Sequence, residues 1–111
     1  MKMVVAYVEP ERFDPIRDDL LGLGFVSLSV VNANGSVPEA TMSGSYRGVK
    51  IERHVRPKAR IECVVGADHV STVVETILKH GGERTFVFVV PVEQAYPTDT
   101  IKSDAVAVEA G

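Results

Sequence analysis

Residues 45–65 read SYRGVKIERHVRPKARIECVV. From about Arg56 to Val65 the stretch alternates as a β-strand does. Ala59, Ile61, Cys63 and Val65 fall on one face, and Lys58, Arg60, Glu62 and Val64 on the other, because successive side chains of an extended chain point to opposite sides. One face suits a core and the other carries charge. Upstream, Asn32–Arg56 has few apolar residues, several glycines and Pro38, with neither helical nor strand period over most of its length. It predicts one long loop, and long loops inside compact domains tend to carry function.

On the N-terminal side, Met1–Val8 is rich in β-branched residues and predicts a first strand, ended by Glu9-Pro10-Glu11. Asp14 then suits a helix N-cap, with Pro15 at the first helical position. Phe13, Ile16, Leu20 and Leu23 share one helix face, and Gly22 and Gly24 mark its end. Phe25–Val31 predicts a second strand, with Val26, Leu28 and Val30 alternating against Ser27 and Ser29. Beyond the charged strand, Gly66-Ala67-Asp68 predicts a turn whose Asp68 caps a second helix running to about His80. Val70, Val73, Val74, Ile77 and Leu78 form its apolar face, Gly81-Gly82 stops it, and Thr85–Val92 is a fourth strand.

The order β-α-β-loop-β-α-β predicts an α+β fold of the ferredoxin-like βαββαβ kind, an antiparallel four-stranded sheet with two helices on one face. Two helices leave the other face bare. Yet Met3–Val8 and Phe86–Val90 are apolar on both sides, which predicts burial on both sides. With no third helix available, further copies of the chain are the expected cover.

At 111 residues the chain has the length of one domain, read as residues 1–95 with a tail at 96–111 that adds an edge strand or stays mobile. Fifteen acidic against 12 basic residues give a net charge of −3, which argues against nucleic acid or an anionic membrane as partner. No apolar run is long enough to span a bilayer, and acidic residues come too early for a signal peptide. The expectation is a cytoplasmic protein with no direct membrane insertion. Cys63, the single cysteine, excludes an internal disulfide and reads as a small buried hydrophobe. His54, His69 and His80 lack ligand spacing, so no metal site is expected. No nucleophile–base pair, Walker loop or paired-carboxylate motif appears, so the reading assigns no catalytic residue, no redox cofactor and no enzyme activity. Two other classes fit the same subunit: a small dimeric-barrel oxygenase or isomerase, and a metal-responsive CutA-like or purely structural trimer without nucleotide.

Met1-Lys2, Arg17, Gly35, Tyr46-Arg47-Gly48, Pro57-Lys58, Ile61-Glu62, Val64-Val65 and Phe86-Val87-Phe88 together resemble the PII family of signal-transduction proteins. The spacing from Tyr46-Arg47-Gly48 through Pro57-Lys58 to Ile61-Glu62 matches that family without a gap, and the likeness covers about residues 1–90. The resemblance implies a homotrimer, an adenine nucleotide as effector in the clefts between subunits, and a T-loop at about 35–55 that docks on a target protein, membrane transporters being one class of target. Such a loop is expected to be mobile when free and ordered by a ligand or partner. Residue by residue, the resemblance implies nucleotide contacts at Ser29, Gly35, Lys58, Glu62 and Val64. It also implies phosphate contacts from Arg84 with the N–H groups of Gly81 and Gly82, and partner contacts at Glu39, Tyr46, Arg47 and Gly48.

The chain also departs from the family pattern. The glycine-rich TGxxGDGK loop is shortened to Gly81-Gly82-Glu83-Arg84, and the two arginines beyond the last strand are absent around Ala95–Pro97. Glu39 stands for the glutamine that helps bind magnesium and 2-oxoglutarate, and Ile51 for the uridylylated tyrosine. The expectation is therefore a divergent PII-like regulator, favouring ADP or AMP, with ATP or cyclic AMP as further candidates.

Overall fold

The computed structural model describes residues 1–36, 42–46, 49–53 and 55–96, of which 42–46 and 49–53 are described as backbone. Strand β1 (Lys2–Val8) is followed by a 3-10 turn (Pro10–Arg12), helix α1 (Phe13–Gly22) and strand β2 (Leu28–Ser36). A hairpin of β3 (Met42–Tyr46) and β4 (Val49–Arg53) precedes β5 (Val55–Val65). A second 3-10 turn (Ala67–His69), α2 (Val70–Gly81) and β6 (Phe86–Pro91) complete the order. The main sheet runs β2-β5-β1-β6 with every neighbour antiparallel, which is the ferredoxin-like arrangement.

Three boundaries differ from the sequence reading, each for a local reason. Phe25 does not start the second strand. Its N–H bonds the Leu20 carbonyl at 2.9 Å while Gly24, at φ 94°, bonds Leu21 at 3.0 Å. This is a Schellman closure of α1, with Phe25 as its apolar anchor, buried at 6% exposure. Asp14 and Pro15 lie inside the first turn of α1, whose N-cap is Arg12 without side-chain capping. Pro15 is tolerated there because the first four N–H groups of a helix have no helical partner. Asp68 likewise sits within the 3-10 turn and caps nothing, since α2 starts at Val70 behind an uncapped His69.

The larger correction concerns Asn32–Arg56, which is not one loop. β2 continues to Ser36, pairing as far as Ser36↔Val55, and β3 pairs β4 from Met42↔Arg53 to Tyr46↔Val49. The β1–β5 ladder ends at Val8↔Ala59, so β2 and β5 run on together as a two-stranded ribbon through Ala33↔Lys58 and Gly35↔Arg56. The expectations for Glu39, Arg47, Gly48 and His54, and for the tail from residue 97 onward, lie outside the described residues.

The core lies between the sheet and both helices. Val4, Ala6, Val8, Ala59, Ile61, Cys63 and Val65 from the sheet meet Ile16, Leu20, Val73 and Ile77 from the helices. This is the face that the alternation in β5 predicts. Each fully buried aliphatic side chain of this size contributes about 1.5–3 kcal/mol. On the opposite face, Val5 is fully buried between its strand neighbours while Phe86, at the sheet edge, is 62% exposed.

Burial pushes the Cys63 thiol up to about 11. A thiol held neutral and enclosed is a poor nucleophile. We expect Ellman's reagent to leave Cys63 unlabelled at neutral pH in the folded protein and to label it fully in denaturant. Rapid labelling of the folded form would mean that β5 is not closed over by the helices.

Candidate functional site

β2 and β5 bring four of the expected residues into two adjacent pairs. Ser29 is the register partner of Glu62, and Gly35, the partner of Arg56, lies diagonally beside Lys58 on the ribbon. A Cβ at Gly35 would sit 3.2 Å from the Lys58 γ-carbon and 3.6 Å from its ε-carbon, so the lysine stem lies along the glycine. Lys58 is only 7% exposed and forms no ion pair among the described residues. It lines a cavity of 390 Å³ with Pro10, Asn32, Ala33, Asn34 and Pro57. A smaller cavity of 220 Å³, lined by Glu9, Glu11 and Arg56, shares Pro10 and Pro57 with it. There Arg56 Nη1 approaches Glu9 Oε1 at 3.9 Å.

Glu62 is engaged by its own strand and not by Lys58. Arg60 Nε donates to Glu62 Oε2 at 2.9 Å, and Arg60 Nη1 donates to Tyr7 Oη at 2.8 Å, with the guanidinium 5.5 Å from the Tyr7 ring centroid. These groups stand on the face opposite the helices, as do Val64 and the Phe86–Phe88 pair, whose ring centroids are 5.8 Å apart. Neighbouring strands are about 4.8 Å apart, so this arrangement places charge and aromatic surface side by side on one open sheet.

The remaining expected residues, Gly81, Gly82 and Arg84, lie at the other edge of the sheet, ahead of β6. A Cβ at Gly81 would fall 2.1 Å from Thr85 Oγ1, and Gly82 adopts φ 84°, so the turn admits glycine at both positions. Thr85 Oγ1 donates to the Gly82 carbonyl at 3.1 Å and holds the turn closed. In the sheet order β1 stands between Lys58 on β5 and the β6 edge, and both β5 and β1 stand between Ser29 on β2 and that edge, so no strand pairing joins the two halves within one chain.

The two histidines among the described residues, His69 and His80, have local partners. His69 meets the Phe25 ring edge-on at 5.5 Å, and His80 Nε2 donates to Asp19 Oδ2 at 2.6 Å. Among the described residues no three His, Cys, Asp or Glu side chains gather as a metal site. Among the same residues no helix is long and apolar enough to cross a membrane.

The chain matches the family model for nitrogen regulatory protein P-II over residues 1–102. The chain belongs to the P-II family. It is similar to nitrogen regulatory protein P-II 2 of Methanothermobacter thermautotrophicus, at 35% identity over 79 residues, which cover 71% of this chain and 69% of that one. It also resembles nitrogen regulatory protein GlnK2 of Haloferax mediterranei, at 29% identity over 97% of this chain and 91% of the relative. Against nitrogen regulatory protein P-II 1 of Escherichia coli the identity is 32%, over 79% and 84%.

Sequence reasoning missed three features of this P-II chain. Asn32 and Asn34 border the Lys58 cavity because β2 runs on to Ser36; continuing the alternation past Val31 would have put them in a strand. Tyr7 joins Arg60 only through the β1–β5 register, which periodicity does not reveal. Arg12 approaches Gly82 across 70 positions of sequence.

The His80–Asp19 contact ties the end of α2 to α1, and Lys79 Nζ adds a contact to Asp19 at 3.9 Å. The Asp19 carboxyl is held below its ordinary value of 3.8, first by the His80 hydrogen bond and then by the charges of His80 and Lys79, against the opposing effect of burial. A lowered folded-state value gives stability that is complete above the unfolded value and lost as pH falls through the folded one. Thermal melts of the wild type and Asp19→Ala should therefore differ at pH 6 and converge below about pH 3.8. A gap that persists unchanged to pH 2.5 would show that the helix tie does not involve the carboxylate.

Proposed function

We propose that this P-II chain is a cytoplasmic regulator that assembles as a homotrimer and binds an adenine nucleotide in the clefts between copies. In this reading residues 1–95 form the nucleotide-binding body and residues 35–55 signal to a target protein, with a transporter or metabolic enzyme as the class of target. The carrying observation is Lys58, a nearly enclosed ammonium with no carboxylate partner among the described residues, beside a cavity bordered by two asparagines. An uncompensated buried charge is costly, and an anionic ligand is the natural compensation.

The separation of the site into two halves supports a cleft between copies. Ser29, Gly35, Lys58, Glu62 and Val64 belong to the β2–β5 side, and Gly81, Gly82 and Arg84 to the β6 edge. A second copy packed on the open sheet face would supply the half that one chain lacks. It would also cover Phe86, whose exposure is otherwise unexplained in a soluble sheet. Glu62 is already held by Arg60, so its part would be to fix the neighbouring backbone, with Val64 offering apolar contact to the base. Bound nucleotide would act by population shift, stabilising one arrangement of the 35–55 segment that the target then reads.

The test is isothermal titration of the full chain with ATP, ADP, AMP and cyclic AMP. With the TGxxGDGK loop shortened and the two distal arginines replaced, ADP or AMP should bind at least as tightly as ATP. Each lost charge-assisted phosphate contact removes about 1.5–3 kcal/mol. Strictly magnesium-dependent ATP binding, much tighter than ADP, would contradict the assignment of the phosphate grip.

A further inference from the structure

The guanidinium of Arg12 lies flat against the Gly81–Gly82 turn. From the position a Gly82 Cβ would occupy, Arg12 Nε is 3.5 Å away and Cζ and Nη2 are each 3.6 Å away. Near-equal distances to three atoms of one planar group mean that its face, not its edge, meets the glycine. A side chain at Gly82 would be strained by the φ of 84°, while its Cβ would meet that plane at ordinary van der Waals distance. The N–H donors of a guanidinium radiate from its edge, so stacking by the face leaves them available.

Among the described residues those donors make no hydrogen bond or ion pair. Arg12 forms no ion pair among the described residues: Arg56 meets Glu9, Arg17 meets Asp18, and Glu11, the neighbouring carboxylate, makes no bridge to Arg12. Gly82 is the C-cap of α2, so the turn beside Arg12 is open backbone without a side chain. A planar fork whose donors have no partner among the described residues suits a tetrahedral oxyanion, because arginine binds phosphate oxygens in pairs. The same short 3-10 turn reaches the other half of the chain's polar surface. Pro10 lines the Lys58 cavity, and Arg12 covers the glycine turn.

We propose that Arg12 is a phosphate-binding residue, its guanidinium, set over the glycine turn, gripping a phosphate of the nucleotide. It replaces part of the grip lost with the shortened loop, and it rests on the nucleotide reading given above. The bland role for the same geometry is a cation at the C-terminal end of α2, complementing the helix dipole. That role predicts an effect on stability and none on ligand.

The experiment is calorimetric titration of full-length wild type, Arg12→Lys and Arg12→Gln with ADP, alongside a thermal melt of each. Loss of one charge-assisted pair should weaken ADP binding by about tenfold in Arg12→Gln. Arg12→Lys, which keeps charge but not the fork, should fall between the two, with melting points within a few degrees of wild type. If wild type binds ADP and both variants bind it equally well, Arg12 does not touch phosphate, and the nucleotide reading survives without it. If wild type binds no adenine nucleotide, that reading falls and the role of Arg12 falls with it. Should Arg12→Gln melt far below wild type, Arg12→Lys decides, and unchanged ADP affinity in it overturns the proposal.

Discussion

Gly81→Ala should destabilise the folded chain by about 1–3 kcal/mol, the range for forcing extra atoms into a packed site. Alanine is ordinarily the better helix residue, by about 1 kcal/mol, so the expected sign is opposite to propensity. Gly81 is buried, and a Cβ there would lie 2.1, 2.8 and 2.9 Å from Thr85 Oγ1, Cγ2 and Cβ. Rotating the threonine relieves the first two contacts and not the third, so the backbone of the turn must shift. The shift also breaks the Thr85 hydroxyl bond to the Gly82 carbonyl. Urea denaturation reads the loss, and Gly81→Ala combined with Thr85→Ala should recover part of it. A Gly81→Ala variant as stable as wild type would mean that the turn has room the packing denies.

Phe86→Asp should have the largest effect on assembly and a small one on the subunit. The ring is 62% exposed in the single chain, and surface changes are usually within about 0.5 kcal/mol. In a trimer closed over the open face, the same change would bury an unpaired carboxylate in every copy. That penalty is several kcal/mol per ion, so association should weaken by at least about a hundredfold. Sedimentation velocity at micromolar concentration should show wild type as one larger species and Phe86→Asp as monomer. Equal sedimentation of the two would place the interface elsewhere.

From Ala59 to Val65 burial in β5 is one-sided, which made its core face legible in the sequence. Ala59, Ile61, Cys63 and Val65 are all buried, and the alternation announces it. The helices were legible as amphipathic stretches, but their ends were not. Asp14 and Asp68 have capping chemistry and do not cap, since the 3-10 turns before each helix already carry the chain into it. Phe25 looked like strand because an apolar residue after a glycine fits both a strand start and a Schellman anchor. The β3–β4 hairpin was hidden by Gly44 and the serines around it, residues that favour turns when no ladder holds them. Of the candidate site, the resemblance named Gly35 and Lys58 separately, and their contact is visible only in the structure, one step off the register that pairs Lys58 with Ala33. The Arg12–Gly82 approach did not, because it depends on how α1 and α2 lie against each other, and no local pattern encodes that.

Native mass spectrometry of the full chain with added ADP tests the central claim most directly, since it reads assembly and ligand together. A nucleotide held between copies predicts a trimer carrying up to one ADP per chain, with Phe86→Asp losing assembly and nucleotide at once. A monomer that binds ADP, or a trimer that never takes it up, would contradict it.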